Sequence, residues 1–164
     1  MQITMKGNPI VLLGKKVEVG DPAPHFTVVG QDISEVKCHQ FMGKKRLISV
    51  VPSIDTGVCE QQTRRFNEEA SKIADAVILT ISMDLPFAQA RWCGAAGIDK
   101  IQVLSDHRDA SFGNAYGVLI EGLRLLTRAI FVIDANDKVT YVEYVPEVTD
   151  HPDYEKALEA LKSV

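Results

Sequence analysis

The sequence has no hydrophobic run long enough to cross a membrane. About 18 consecutive apolar residues are needed for that, and the apolar run near the N-terminus covers only residues 10–13. Residues 1–14 also lack the basic start, the long apolar stretch and the small-residue cleavage site of a secretion signal. These absences predict a protein that stays off membranes and resides in the cytoplasm.

Positive charge is scarce and scattered. The 18 Lys and Arg residues are outnumbered by 22 Asp and Glu residues, the net charge is −4, and the longest basic block is the triplet at residues 44–46. A solvated turn explains such a triplet better than a nucleic-acid contact does. We therefore expect no nucleic-acid partner.

Cysteine is rare, with only Cys38, Cys59 and Cys93 present. An odd and sparse set does not form a disulfide framework, and the absence of a C-x-x-C pair argues against a dithiol reductase of the thioredoxin kind. The four histidines show no metal-ligand spacing with the cysteines. The sequence therefore predicts neither a metal site nor a bound cofactor.

The remaining composition is that of an ordinary globular chain. Its 164 residues are 46% hydrophobic and 24% charged, which predicts one domain over residues 1–164 with a full core. Apolar, β-branched runs predict buried strands at residues 47–51, 76–82 and 101–104. Helical spacing predicts helices at residues 60–74, 87–96 and 152–161.

Two hairpins complete this outline. Residues 127–133 and 139–144 are separated by an Asn/Asp-rich turn. Residues 3–5 and 10–13 flank a second turn near the N-terminus. Strands that alternate with helices and end in a hairpin predict an α/β fold, in which helices cover both faces of a mixed sheet.

The most informative stretch leads from the strand at residues 47–51 into the next helix. Pro52 ends the strand, small polar residues form a loop, and Cys59 falls in the first turn of the helix. The free N–H groups and the dipole of a helix N-terminus stabilise an anion, so a thiol in this place is predicted to ionise readily. Position alone fits a small apolar residue that packs the helix start equally well.

The residue types in that stretch decide between these two interpretations. Pro52, Thr56 and Cys59 form the pattern P-x-x-x-T-x-x-C, which resembles the active-site motif of the peroxiredoxins. The longer stretch at residues 52–59, Pro-Ser-Ile-Asp-Thr-Gly-Val-Cys, is similar to the thiol peroxidase branch, a group of atypical two-cysteine enzymes. Cys93 follows at that branch's spacing, 34 residues after Cys59. The resemblance covers nearly the whole chain and implies a thioredoxin-like fold with an N-terminal β-hairpin.

The resemblance also implies a role for each matching residue. Cys59 would be the peroxidatic cysteine, and the hydroxyl of Thr56 would hydrogen-bond the peroxide. Pro52 would shield the sulfur from water, and Arg128 would face the sulfur from a strand. Cys93 would be the resolving cysteine.

Two of these residues have a plainer interpretation when taken alone. Arg128 would be an ordinary surface charge, although it borders an apolar run in which an arginine usually has a partner. Cys93 would be a core residue beside Trp92 in a helix. Cys38 matches no position of known role, and we interpret it as structural or incidental.

The implied function is a thiol-dependent peroxidase that reduces hydrogen peroxide and alkyl hydroperoxides. Cys59 would become a sulfenic acid, a Cys59–Cys93 disulfide would follow, and thioredoxin would restore both thiols in what the resemblance implies is a homodimer. An alternative is a redox sensor or interaction module that switches a partner through the same thiol pair. A sensor would not need Thr56 and Arg128 for turnover. A thioredoxin-like reductase is a third and weaker alternative, because C-x-x-C is missing.

Overall fold

The computed structural model describes residues 2–164. Its strands in chain order are β1 (Ile3–Met5), β2 (Asn8–Ile10), β3 (Leu12–Leu13), β4 (Thr27–Val29), β5 (Glu35–Lys37), β6 (Lys45–Val50), β7 (Ala76–Ser82), β8 (Gln102–Ser105), β9 (Leu119–Ile120), β10 (Ala129–Ile133) and β11 (Val139–Tyr144). Its helices are α1 (Gly57–Ala70), α2 (Pro86–Ala96), α3 (Ser111–Ala115) and α4 (Tyr154–Lys162), with a 3-10 turn at Cys38–Phe41.

A seven-stranded mixed sheet forms the centre of the molecule. Its strand order is β11-β10-β6-β7-β8-β4-β5. Strands β6, β7 and β8 are parallel, and β10 pairs antiparallel with both β6 and β11. Because the parallel strands are joined through α1 and α2, their side chains are covered on both faces, and nearly all of their residues are buried or half-buried.

Helices pack on both faces of this sheet, which confirms the predicted α/β architecture. On one face α1 and α4 place Phe66, Leu158 and Leu161 against Leu47 and Ile130. On the other face α3 contributes to a cluster of aromatic rings with T-shaped and stacked contacts, formed by Phe26, Phe112, Tyr116 and Phe131.

The topology brings three loops to one edge of the sheet. Strands β6 and β7 are parallel, so their carboxyl ends lie together, and each leads through a short link into the start of a helix, α1 or α2. Strand β10 runs antiparallel to β6 and pairs Ala129 with Val50, which places Arg128 at the same edge. Ligand sites of α/β sheets form at such edges.

The element boundaries correct several sequence predictions. The N-terminal hairpin turns at Lys6 and Gly7, whose φ angles are 51° and 80°, so β2 begins at Asn8. Residues 12–13 belong instead to β3, which pairs with β9. Helix α1 covers Gly57–Ala70 rather than residues 60–74. The short elements β5 and α3 were not predicted, because neither is long enough to show a period.

Within residues 2–164, none of the helices is long and apolar enough to span a membrane. The same residues contain no group of three or more His, Cys, Asp or Glu side chains that could hold a metal ion.

Candidate active site

Cys59 lies in the first turn of α1 and is completely buried. The first backbone hydrogen bond of the helix runs from the Glu60 N–H to the Thr56 carbonyl at 2.8 Å. The N–H groups of residues 57–59 therefore have no partner within the helix, and they carry the positive end of its dipole. The predicted placement of Cys59 at a helix N-terminus is correct.

Arg128 provides a positive charge in direct contact with the sulfur. Its Nη2 donates to Cys59 Sγ at 3.2 Å, its Nη1 to Gln62 Oε1 at 2.7 Å and its Nε to the Val148 carbonyl at 2.7 Å. The side chain is 2% exposed, and among residues 2–164 no carboxylate forms an ion pair with it. A buried guanidinium without a carboxylate favours an anion nearby, and the Cys59 thiolate is in the position to be that anion.

Gln62 and Ser49 extend this contact into the core. Gln62 Nε2 donates to the Ser49 hydroxyl at 2.7 Å, which turns its Oε1 toward Arg128. The side chains of Ser49, Gln62 and Arg128 are all buried, so water does not compete for these hydrogen bonds. Sequence reasoning missed Gln62 and Ser49. The available signal was the spacing of Gln62, three residues after Cys59 on the same face of a helix.

Thr56 and Pro52 lie on the loop before α1, as their sequence positions predict. Thr56 is the N-cap of the helix with extended backbone angles, and its side chain makes no capping hydrogen bond. Its exposed hydroxyl is therefore free for another partner, but no hydrogen bond joins it to the Cys59 sulfur. Pro52 is buried. The structure thus brings Arg128 into contact with Cys59 and leaves the role of Thr56 as a prediction.

Cys93 lies in α2 and shares a small apolar cluster with Cys59. Val51, Ile54 and Val103 complete the buried part of this cluster, and both cysteines are free thiols. Cys93 is 6% exposed, and Gln31 Nε2 donates to its sulfur at a long 3.5 Å. Burial raises the pKa of the Cys93 thiol, and the Gln31 hydrogen bond offsets only part of this effect.

Cys38 lies apart from the two other cysteines. It packs against the core cluster on the opposite face of the sheet, where the Phe26 N–H donates to its sulfur at 3.4 Å. The neighbouring His39 is exposed. These contacts agree with a structural rather than a chemical role for Cys38.

Comparison with known proteins places the chain among the redoxins. The Redoxin family profile matches residues 18–158. The chain is 65% identical over 161 residues to a thiol peroxidase of Halalkalibacterium halodurans, an alignment that covers 98% of this chain and 97% of the relative. It is 60% identical over 163 residues to a thiol peroxidase of Bacillus subtilis, covering 99% and 98% of the two chains.

Solved structures show the same likeness. A peroxiredoxin-like protein from Aquifex aeolicus superimposes with a TM-score of 0.93 at 41% identity, covering 99% of this chain and 96% of that one. A thiol peroxidase from Chromobacterium violaceum superimposes with a TM-score of 0.89 over the same fractions at 23% identity, which bears on the fold alone.

Proposed function

The chain belongs to the redoxin family, in the thiol peroxidase branch of the peroxiredoxins, and we propose that Cys59 carries out its peroxidase reaction. The observation that supports this assignment is the contact of Arg128 Nη2 with Cys59 Sγ at 3.2 Å, at a buried helix N-terminus. Cys93 and Cys38 lack any such cationic contact in residues 2–164.

In the first step the Cys59 thiolate attacks one oxygen of the hydroperoxide. The S–O bond forms as the O–O bond breaks, the sulfur is oxidised to a sulfenic acid, and the leaving oxygen takes a proton and departs as water or an alcohol. The Thr56 hydroxyl would donate a hydrogen bond to the peroxide or accept one from it. Pro52 would shield the Cys59 sulfur from water.

Ionising the thiol is not enough to account for fast peroxide reduction. An ordinary thiol with a pKa of about 8.5 is already a few per cent thiolate at pH 7, so complete ionisation gains only about thirtyfold. The larger contribution must come from donors that bind the oxygens as the O–O bond stretches. Arg128, the N–H groups of residues 57–59 and the Thr56 hydroxyl are the candidates.

In the second step the Cys93 thiol condenses with the sulfenic acid. The Cys59–Cys93 disulfide forms and one water leaves, so no further oxidant is needed. The common apolar cluster supports this pairing, because it places both cysteines among the same buried residues. An external dithiol, which we propose is thioredoxin, then reduces the disulfide by thiol–disulfide exchange.

The remaining proposals rest on the family resemblance and on the composition and length of the sequence. Hydrogen peroxide and alkyl hydroperoxides are the proposed substrates, the proposed assembly is a homodimer, and the proposed location is the cytoplasm. The whole chain, residues 1–164, would act as one thioredoxin-like domain.

The test is hydroperoxide consumption by the purified protein with thioredoxin, thioredoxin reductase and NADPH. We expect repeated turnover with both hydrogen peroxide and an alkyl hydroperoxide, measured as NADPH oxidation. Oxidation of the thiol pair followed by no turnover would favour the redox-sensor alternative. No thiol oxidation by either peroxide would contradict the assignment of Cys59.

A further inference from the structure

Asp84 links the two cysteine-bearing parts of the molecule. It lies between β7 and α2, but its carboxylate reaches the loop that precedes Cys59. Oδ1 accepts a hydrogen bond from the Ser53 hydroxyl at 2.7 Å, and Oδ2 accepts one from the Ile54 N–H at 2.8 Å. The Ser53 hydroxyl in turn accepts from the Asp55 N–H at 3.1 Å. One carboxylate therefore fixes three consecutive residues of the loop at residues 52–56.

The same carboxylate is attached to the start of α2. The Ser82 hydroxyl donates to Asp84 Oδ2 at 2.6 Å. Gln89, which is buried in α2, donates through Nε2 to the Ser82 hydroxyl at 3.1 Å and to the Leu104 carbonyl at 2.8 Å. The Ser105 hydroxyl donates a hydrogen bond to the backbone carbonyl of Asp84. Asp84 is thus bonded to the ends of β7 and β8 and, through Ser82 and Gln89, to α2.

The binding of Asp84 differs from that of a surface carboxylate. Among residues 2–164 no Lys or Arg forms an ion pair with it, and its carboxylate accepts from three neutral donors, the Ser53 and Ser82 hydroxyls and the Ile54 N–H. Asp84 is therefore the side chain that holds Ser53 and Ile54, in the middle of the loop at residues 52–56.

We propose that Asp84 is a positioning residue that sets the balance between the two steps of the reaction. This inference rests on the proposed function. While its bonds to Ser53 and Ile54 persist, the loop holds Pro52 and Thr56 in place beside Cys59, which favours attack on the peroxide. The same bonds must break before the first turn of α1 can bring Cys59 to Cys93, so they slow disulfide formation.

This arrangement predicts opposite effects on the two steps. A merely destabilised protein would react more slowly in both, whereas a released loop reacts more slowly with peroxide and closes the disulfide faster. The protein supplies its own probe, because the single tryptophan, Trp92, is adjacent to Cys93. Rapid-mixing fluorescence separates the second-order attack from the first-order disulfide step.

The main variant is Asp84→Ala, with Asp99→Ala as the matched control. Asp99 is exposed, and its carboxylate makes no hydrogen bond or ion pair within the described residues. We expect Asp84→Ala to slow peroxide attack about tenfold and to accelerate disulfide formation about threefold, effects of the size of one lost hydrogen bond. Asp99→Ala should match the wild type in both steps.

Two milder variants keep the proposal testable if Asp84→Ala does not fold. Asp84→Asn retains one oxygen acceptor for Ile54, so it should show a smaller change in the same two directions. Ser53→Ala removes one donor from the loop side, and its effect should not add to that of Asp84→Asn, because both act on one contact. Equal slowing of both steps, no change in either, or fully additive effects would overturn the proposal.

Hydrogen exchange of the reduced proteins separates this proposal from the proposed function. The Ile54 amide should exchange faster in Asp84→Ala, which removes its acceptor, than in the wild type, while the amides of β6 and β7 keep their protection. That comparison needs no peroxide. A wild type that fails to reduce peroxide would contradict the proposed function alone, whereas unchanged Ile54 exchange would contradict the role of Asp84 alone.

Discussion

Cys59 and Cys93 are both buried thiols in helices, yet their surroundings differ in every electrostatic respect. Cys59 lies in the first turn of α1, which carries free N–H groups, and the Arg128 guanidinium donates to its sulfur. Cys93 lies near the end of α2, next to apolar residues and one distant amide, and burial raises the pKa of its thiol. Position within the helix and a single arginine, rather than burial, distinguish the surroundings of the two thiols.

The difference matches the chemistry that each sulfur is proposed to perform. The attacking sulfur must be an anion beside donors that stabilise the departing oxygen. The second sulfur must stay unreactive toward peroxide until a sulfenic acid forms. A neutral thiol in an apolar pocket meets that requirement, because the thiolate is the nucleophile. Substitutions around Cys59 should therefore change the attack on the peroxide, and substitutions around Cys93 should change disulfide formation.

The largest effect should follow removal of the attacking thiol. Cys59→Ser should abolish peroxide reduction, because a serine hydroxyl stays protonated at neutral pH and is a poor nucleophile. The matched control is Cys38→Ser, which should retain full turnover. NADPH oxidation coupled to thioredoxin measures both. Substantial turnover by Cys59→Ser, or its loss in Cys38→Ser, would contradict the assignment of the reacting sulfur.

Removal of Cys93 should end turnover but spare the first reaction. Cys93→Ser should reduce one equivalent of peroxide per chain and then stop, with Cys59 held as sulfenic acid or oxidised further. A sulfenic-acid-specific reagent and mass spectrometry measure the trapped species. If this variant continues to cycle with thioredoxin, Cys93 is not the resolving thiol.

Loss of the guanidinium should slow attack beyond its effect on ionisation. Arg128→Met should lower the second-order rate about a hundredfold or more, the usual result of removing a donor to developing negative charge. Arg91→Met is the control, since Arg91 is exposed on α2. The rate is measured against pH, with the thiolate fraction determined separately by ultraviolet absorbance. If the loss vanishes once the rate is expressed per thiolate, Arg128 acts only on ionisation.

The parts of this comparison that the sequence predicts are those with a local signal. The start of α2 at Pro86 and its end at Gly97, whose φ is 70°, follow from the residue types at those positions. The placement of Cys59 in the first turn of α1 follows from a strand that ends at Pro52. The apolar runs at residues 47–51 and 76–82 predict the buried strands β6 and β7.

The parts that the sequence does not predict depend on contacts between distant segments. Arg128 and Gln62 lie 66 positions apart in the chain, and their hydrogen bond exists only because β10 pairs beside β6. The pairing of β3 with β9 likewise depends on where the chain returns, since a two-residue strand has no period of its own. The spacing of Gln62 from Cys59 puts both residues on one face of α1, but this spacing alone does not show that the Gln62 side chain is buried.

A smaller effect is expected in the mobility of the two segments. A disulfide requires the two Cα atoms to lie within about 7 Å of each other, whereas the axes of packed helices lie about 8–10 Å apart. Residues 57–63 and 90–97 should therefore lose helical hydrogen bonds on oxidation, with exchange about tenfold faster or more. Gly57 and Gly94 would ease this unwinding. Hydrogen exchange of both redox forms measures it, and equal protection in the two forms would contradict the prediction.

The smallest effect concerns the electrostatics of Cys93 itself. Burial raises the pKa of its thiol above the ordinary value, and the hydrogen bond from the Gln31 amide offsets part of this increase. In a variant with Cys38 and Cys59 replaced by Ser, thiolate absorbance should therefore appear at a higher pH than it does for an ordinary exposed thiol. Gln31→Leu should raise this pKa further, whereas Gln40→Leu, an exposed glutamine without a hydrogen bond to Cys93, should not change it.

The raised pKa of Cys93 also makes the stability of the protein decrease at alkaline pH. Because the folded-state pKa of Cys93 lies above the unfolded value, its contribution to the free energy of unfolding is complete below pH 9.0 and decreases as the pH rises toward the folded-state value. Replacing Cys93 by Ala in the same background should remove that alkaline decrease. Urea unfolding at neutral and alkaline pH measures the difference. A Cys93 thiol that ionises below its ordinary value, or stability that increases with pH through this range, would show that the two cysteines do not differ as their surroundings indicate.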